Sequence, residues 1–273
     1  MEYEIKPSRR FGINFRELWN YRELFYFFTW RDIKIKYKQA FLGIAWAVLQ
    51  PVIMMFVFSL FFGQALGIKN FLFQVPYPVF VFSGLLFWNV FSSGLTNSAN
   101  SMVSNANIIK KIYFPRLIVP ISAVLVPLFD FFIALIVYII TLFYYGIRPD
   151  VNFFVVMPLA LLMCLLTTLG IGSFMAALNV KYRDVKYVVP FFVQLLLFLT
   201  PVIYPVSILP YEWMKTVLSL NPVAGAIDLF RSSLTGIWPD TRHLFLSLIT
   251  SIIFFLVGIA YFRRVEDYFA DMA

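Results

Sequence analysis

The stretch Leu178–Pro190, "LNVKYRDVKYVVP", gathers charge between two long apolar segments. Within it, three cations and one acid fall in the six residues from Lys181 to Lys186. Charged side chains avoid the hydrocarbon core of a bilayer, so this cluster predicts a short loop at a membrane surface. We therefore expect the apolar segments on either side to be membrane spans.

The composition of the whole chain agrees with a membrane protein. Of its 273 residues 61% are hydrophobic and only 13% are charged, whereas soluble domains contain about 25% charged residues. Lipid must therefore be the solvent for much of its surface. Cys164 is the only cysteine and His243 the only histidine, which excludes an intrachain disulfide and argues against a metal site. We expect no metal or cofactor bound by this chain.

Six stretches are long and apolar enough to cross a bilayer, which takes roughly 20 residues per helix. The sequence thus predicts an all-α integral membrane fold with six transmembrane helices. The predicted spans are 41–63, 77–95, 117–145, 153–178, 187–204 and 244–262. They divide the chain into an N-terminal segment (1–40), a six-span domain (41–262) and a tail (263–273).

The distribution of Lys and Arg predicts the orientation. Six spans place both termini on one side, and that side carries seventeen of the 22 Lys and Arg residues. The opposite side carries five: Lys69, Arg148, Lys215, Arg231 and Arg242. The positive-inside rule then places both termini in the cytoplasm. The net charge of +8 needs no nucleic acid to explain it, because the basic residues lie at span ends.

The N-terminal segment Asn14–Tyr37 has the pattern of an amphipathic helix. Leu18, Trp19, Phe25 and Tyr26 fall on one helical face. We predict that this helix lies at the cytoplasmic membrane surface, which would keep its aromatic rings out of water. The alternative is a charged tail whose role is to fix the topology.

The connection between the fifth and sixth spans contains two short apolar helical stretches, 213–220 and 223–234. Asn221-Pro222 separates them, and each is too short to cross a bilayer. We predict an external re-entrant helical hairpin over residues 207–240, acting as a gate or pore lining. The alternative is an external loop that lies on the membrane surface.

Few residues of the sequence are candidates for catalysis or for binding a ligand. Asp130 is the one acid deep inside a predicted span; it is either protonated or paired with another helix or protomer, and we favour a structural role. Tyr204, Tyr211 and Trp213 cluster where the fifth span meets the hairpin. They are either membrane-belt residues or rings that stack on sugars. The sequence contains no G-x-x-x-x-G-K-[ST] phosphate loop.

Several stretches together resemble a known family. "WRDIKIKYKQAFLGIAWAVLQP" (Trp30–Pro51) resembles the start of polysaccharide-export permeases of the ABC-2 class. "SNANIIKKIYFPRLIVP" (Ser104–Pro120) is similar to their cytoplasmic loop, and "LNVKYRDVKYVVPFFVQLLLFLTPVIYP" (Leu178–Pro205) to their fourth–fifth linker and fifth span. "NPVAGAIDLFRSSLTG" (Asn221–Gly236) is similar to the element before their last span. The resemblance is strongest to the O-antigen and teichoic-acid exporter branch (Wzm- and TagG-like permeases).

This resemblance implies a mechanism. It implies a homodimer in the bacterial inner membrane that binds two copies of a separate ABC ATPase subunit, on which ATP and Mg are bound. Lys110, Lys111 and Arg116 would lie in or near a coupling segment (99–116) that contacts this ATPase. The substrate would be a glycan on a polyprenyl diphosphate lipid, moved through a channel between the protomers. The cations expected to meet the diphosphate at the cytoplasmic entrance are Arg31, Lys34, Lys36 and Lys38.

Three other functions compete with this one. Teichoic-acid or small-molecule export by the same family is the nearest alternative. An ion-coupled secondary transporter is expected to show inverted repeats and more intramembrane charge, and neither is evident. A membrane-embedded enzyme would need clustered acids or a histidine near a membrane face, which the scattered acids and lone His243 do not supply.

Overall fold

The computed structural model describes residues 15–38, 42–65 and 75–266. Within those ranges every regular element is helical, which confirms the all-α fold. The helices are α1 (Phe15–Asn20), α2 (Arg22–Lys38), α3 (Ala45–Phe58, continued by a π-helical stretch, Ser59–Ala65), α4 (Tyr77–Ser104), α5 (Ala106–Ile109), α6 (Ile118–Tyr144), α7 (Val151–Lys181), α8 (Val185–Leu199), α9 (Glu212–Ser219), α10 (Pro222–Thr235) and α11 (Thr241–Val265). Both termini of the chain, with parts of the predicted segments 1–40 and 263–273, lie outside the described residues.

Helix α4 is the centre of the bundle and the most buried of the long helices. It packs against α6 and α7, and α7 packs in turn against α10 and α11. An aromatic cluster fixes this arrangement: the ring of Phe230 in α10 lies 5.0 Å from that of Phe87, 5.3 Å from Phe153 and 5.9 Å from Tyr138. Four helices therefore meet at one side chain.

Glycines allow α7 and α11 to approach very closely. A Cβ atom added at Gly258 would lie 1.9 Å from the carbonyl oxygen of Gly170, and one added at Gly170 would lie 2.3 Å from that of Phe254. Small residues at such crossings let helix backbones touch in a membrane, where lipid supplies little driving force for association.

Five helices are long and apolar enough to cross a membrane: α3, α4, α6, α7 and α11. They correspond to five of the six predicted spans, with ends that differ by up to nine residues, as where α4 continues to Ser104. The predicted fifth span, 187–204, is not a single long helix. It contains the 15-residue helix α8, which ends at Leu199. The count of six spans stays a prediction.

A non-helical break, Thr200–Pro205, follows α8. Pro201 and Pro205 explain it, because proline lacks a backbone N–H and disfavours helical geometry in the residue before it. Thr200 accordingly has an extended backbone (φ −94°, ψ 137°). Hydropathy does not predict this break, because the apolar run continues through it.

Beyond the break, α9 and α10 form the two predicted short helices, joined at Asn221. The Asn221 side chain caps α10 by accepting a hydrogen bond from the Val223 amide at 3.1 Å. Gly225, one turn further on, packs against Met163, which lies roughly 18 Å along α7 from its first residue. The turn of this helical hairpin is thus set well into the bundle. Its re-entry into the membrane stays a prediction.

The two ends of the bundle differ in character. We call the end that carries 104–117, 181–184 and 263–266 the basic end, and the end that carries 145–150 and 205–240 the hairpin end. Helix α2 lies at the basic end and packs against α6. Its buried residues are Phe28 and Tyr37, whereas Trp19 and Tyr26 of the predicted apolar face are exposed. The predicted helix is divided at Tyr21 into α1 and α2, and its apolar face is shared: Leu18 and Phe25 pack against the protein, whereas Trp19 and Tyr26 do not. Its position at the membrane surface stays a prediction.

Candidate functional site

The loop between α4 and α6 presents two lysines outward. Ile109 and Phe114 are buried, and the Phe114 ring lies 5.7 Å from that of Phe28 in α2. These two anchors hold the loop against the bundle. Between them Lys110 and Lys111 are exposed, together with Tyr113, whose side chain is 84% exposed. A partner protein can therefore reach this part of the predicted coupling segment, whose first residues, 99–104, belong to α4.

Arg116 is placed differently from these lysines. Its backbone N–H donates to Oε1 of Glu266 at 3.0 Å, and its guanidinium donates to the Glu266 carbonyl oxygen. Glu266 also accepts a hydrogen bond from Arg263 at 3.1 Å. Arg116 thus ties the loop to the end of α11 and is not presented beside Lys110 and Lys111.

The four predicted entrance cations of α2 do not form one cluster. Arg31 donates to Asp32 and to Oδ1 of Asn105, both at 2.7 Å, so the Asn105 side chain serves α2 and does not cap α5. The Lys34 ammonium lies 5.3 Å from the centre of the Trp30 ring. Lys38 is exposed. Arg31 is therefore committed to bonds within the protein, and Lys34 and Lys38 are exposed cations with no carboxylate partner among the described residues.

The fourth cation, Lys36, pairs with Asp130. Both Lys36 and Tyr37 donate hydrogen bonds to the carboxylate of Asp130, near the middle of α6. Burial, followed by the hydrogen bond to Asp130, raises the pKa of Tyr37, so this phenol stays protonated and can donate. Asp130 is thus paired with another helix, one of the alternatives that the sequence left open.

A polar cleft adjoins this pair, between α3, α4 and α6. Its lining includes Lys36 and Asp130 together with Trp46, Gln50, Asn89 and Ser93, and it encloses about 40 Å³. Gln50 is exposed and Asn89 and Ser93 are half-buried, so water or a ligand in the cleft can reach these polar side chains. Sequence reasoning missed this cleft, although the i, i+4 spacing of Asn89 and Ser93 on one face of α4 was a signal.

At the hairpin end, two of the three predicted channel aromatics come together. The rings of Tyr211 and Trp213 stack with centroids 6.4 Å apart and planes 17° apart, and both are exposed. Tyr204 is half-buried, and its hydroxyl donates to the carbonyl oxygens of Phe198 and Leu199 at 3.2 and 3.4 Å. Tyr204 therefore caps the end of α8, and the exposed ring pair is Tyr211 and Trp213 alone.

Arg231 is a functional candidate that sequence reasoning missed. The charge count places it only on the side opposite the termini, whereas the structure shows its side chain to be just 7% exposed. It donates to the carbonyl oxygens of Pro201 at 2.6 Å, Val202 at 2.8 Å and Phe80 at 3.1 Å, and to the Ser83 hydroxyl at 3.2 Å. A linear charge count could not detect these partners, which lie far away in the sequence.

Comparison with known proteins decides the family. The family model described as ABC-2 type transporter matches residues 23–235, which is most of the chain. The chain belongs to the ABC-2 type transporter family. The resemblance noted in the sequence is therefore confirmed, and this ABC-2 type transporter protein is a multi-pass membrane permease.

Its curated relatives are matched over nearly their whole length. An "O-antigen export system permease protein RfbA" of Myxococcus xanthus is 30% identical, over 94% of this chain and 97% of that protein. One of the same name from Klebsiella pneumoniae is 29% identical, over 89% and 92%. The "Polysialic acid transport protein KpsM" of Escherichia coli is 23% identical, over 87% and 91%. All three names describe movement of a polysaccharide.

Proposed function

We propose that this chain is the transmembrane subunit of an ATP-driven exporter that moves a lipid-linked polysaccharide out of the cytoplasm across the bacterial inner membrane. The observation that carries the proposal is the similarity over 94% of the chain to an O-antigen export permease. Two copies of the chain enclose the channel, and two copies of a separate ABC ATPase subunit bind ATP and Mg. The glycan is carried on a polyprenyl diphosphate.

The two ends of the bundle support complementary roles. At the basic end, Lys110, Lys111 and Tyr113 are exposed and meet the ATPase, while Phe114 and Ile109 pass its movement to α2 and the bundle. At the hairpin end, the exposed rings of Tyr211 and Trp213 offer flat apolar faces on which sugars stack. Both termini are cytoplasmic, so the helical hairpin re-enters the membrane from outside.

The lipid diphosphate meets Lys34 and Lys38 in this proposal. These two cations of α2 are exposed, whereas Arg31 and Lys36 already have carboxylate partners within the protein. An ammonium group attracts a diphosphate as a point charge and needs no fixed geometry to do so. The proposed diphosphate site therefore contains two of the four cations that the sequence predicted.

Deletion of the gene in its native host tests this function. We expect the surface polysaccharide to disappear and its lipid-linked form to accumulate inside the cell, because synthesis continues while export stops. Expression of the wild-type chain restores the surface polymer. Normal surface polysaccharide in the deletion strain, with no second permease gene present, would refute the proposal.

A further inference from the structure

The break after α8 leaves backbone carbonyl groups without helical partners. Thr200–Pro205 is non-helical, so the carbonyl oxygens of Pro201, Val202 and Ile203 receive no bonds from a following turn of helix. The break nevertheless lies inside the bundle, where Pro201, Val202 and Ile203 are all buried. Buried carbonyl groups at membrane depth need donors from the protein or from a bound ion.

Side chains of two other elements supply those donors. Arg231 of α10 donates to Pro201 and Val202, and Tyr77 of α4 donates to the Ile203 carbonyl oxygen at 2.8 Å. The arginine also reaches the first turns of α4, at the Phe80 carbonyl oxygen and the Ser83 hydroxyl. One guanidinium therefore joins the break, the start of α4 and the hairpin helix α10.

The chemistry of this cluster is that of a cation site. Three carbonyl oxygens and a hydroxyl oxygen converge on one positive charge, and the Phe80 ring lies 3.4 Å from the guanidinium carbon. In ion-coupled carriers, the carbonyls of unwound membrane helices coordinate a free cation in the same way. Here the cation is covalently part of α10, and its planar fork of five N–H donors can serve several acceptors at once.

The surroundings leave room for this group and little else. A Cβ atom at Gly84 would lie 2.8 Å from Nη2 of Arg231 and 3.0 Å from the Val202 carbonyl oxygen. The Asp228 carboxylate is 4.0 Å from Nη1 and partly balances the charge. Glycine at position 84 is therefore what lets the break and the guanidinium approach α4.

We propose that Arg231 is a built-in cation that occupies the unwound segment of the fifth span and positions the hairpin against it during export. It is a positioning residue and touches no substrate. The carbonyl groups of the break then need no free ion. An ion-coupled carrier would bind a free ion at such a break, so this feature distinguishes the two classes of transporter. The inference rests on the proposed export function.

Chemical rescue tests it. Inverted membrane vesicles containing the permease, its ATPase and the endogenous lipid-linked polysaccharide are given ATP, and uptake of polymer into the lumen is measured per amount of permease. We expect Arg231→Ala to reduce uptake severalfold and low millimolar guanidinium chloride to restore part of it. Methylammonium and sodium chloride at the same concentration do not, because they lack the planar fork of donors. Arg242→Ala, an exposed arginine at the same end, serves as the control.

A second variant keeps the test decisive if Arg231→Ala does not fold. Gly84→Ala retains the guanidinium but crowds its contact with Val202, so we expect reduced uptake that guanidinium does not restore. Wild-type uptake by Gly84→Ala, or a folded Arg231→Ala protein that guanidinium fails to rescue, would overturn the inference, as would equal rescue by sodium. Absence of uptake by the wild-type complex would instead count against the export function itself.

Discussion

At the residue scale, the charged side chains inside this bundle are used to join helices. Asp130 receives hydrogen bonds from Lys36 and Tyr37, and Arg231 donates to the break after α8. Both arrangements satisfy polar groups that would otherwise be unpaired away from water. Asp130 also lines the polar cleft, whereas Arg231 is enclosed by backbone oxygens.

The pairing of Lys36 with Asp130 predicts an energetic coupling between them. Asp130→Ala leaves the ammonium without its partner, so the unfolding midpoint of the purified protein in mild detergent should fall. Adding Lys36→Ala should recover part of the loss. Lys36 is 40% exposed, which limits the coupling to about 1 kcal/mol. Lys34→Ala, which removes a cation lying over Trp30, is the control; strictly additive losses would mean that the pair does not contribute.

The ring pair at the hairpin end predicts an effect on export that is separate from folding. Alanine at Tyr211 or Trp213 should slow the appearance of surface polysaccharide while the amount of inserted protein stays normal, because both rings are exposed. Tyr204→Ala should instead lower the amount of folded protein, since its hydroxyl caps α8. Trp238→Ala tests an unpaired exposed ring at the same end. Parallel losses of protein and export at Trp213 would count against a role in glycan contact.

At the element scale, hydropathy predicted helices well and predicted their interruptions poorly. Helices α6, α9 and α10 lie within a few residues of their predicted bounds, because each is flanked by proline, glycine or charge. The break after α8 was missed because Val202 and Ile203 are as apolar as a helix interior. Pro201 and Pro205 break the helix, and Arg231 and Tyr77 stabilise the break by donating to its carbonyl groups. Contacts between residues so far apart in sequence leave no periodic trace.

Reversing the charge of the loop between α4 and α6 should separate ATP hydrolysis from export. Lys110→Glu combined with Lys111→Glu should leave the permease inserted but stop ATP hydrolysis from driving export, because both side chains lie on the surface offered to the ATPase. Hydrolysis by the complex and surface polysaccharide are measured together. Lys186→Glu, which changes an exposed lysine in the first turn of α8 at the basic end, is the control. Unchanged export with normal ATPase binding would remove these lysines from the coupling surface.

The crossing of α7 and α11 predicts a defect in folding. Gly170→Ala places a methyl group 2.3 Å from the Phe254 carbonyl oxygen, so the two helices must separate, at a penalty of about 1–3 kcal/mol. The fraction of protein that elutes as a single sharp peak in gel filtration should fall. Leu162→Ala, on an exposed face of the same helix, should elute as the wild type does. Identical profiles for both variants would show that the crossing is looser than described.

At the scale of the whole molecule, the fold and the family could be predicted from the sequence, whereas the candidate site could be predicted only in part. Composition and charge clusters determine that α3 to α11 form a membrane bundle, and short motifs such as Asn221-Pro222 mark its turns. The hydrogen-bond partners of Arg31, Lys36, Arg116 and Arg231 depend on tertiary packing between residues distant in sequence, so no local pattern could predict them. Lys110, Lys111, Tyr211 and Trp213 are exposed, and their roles stay predictions.

The central claim is that this chain works as the membrane subunit of an ATP-driven exporter. The most direct test is to purify the tagged chain from its native membrane in mild detergent and to assay ATP hydrolysis by what purifies with it. The account predicts an ABC ATPase subunit in equal amount and vanadate-sensitive hydrolysis, which the double Lys110, Lys111 charge reversal no longer couples to export. A chain that purifies without an ATPase, and still moves polysaccharide in vesicles without ATP, would contradict it.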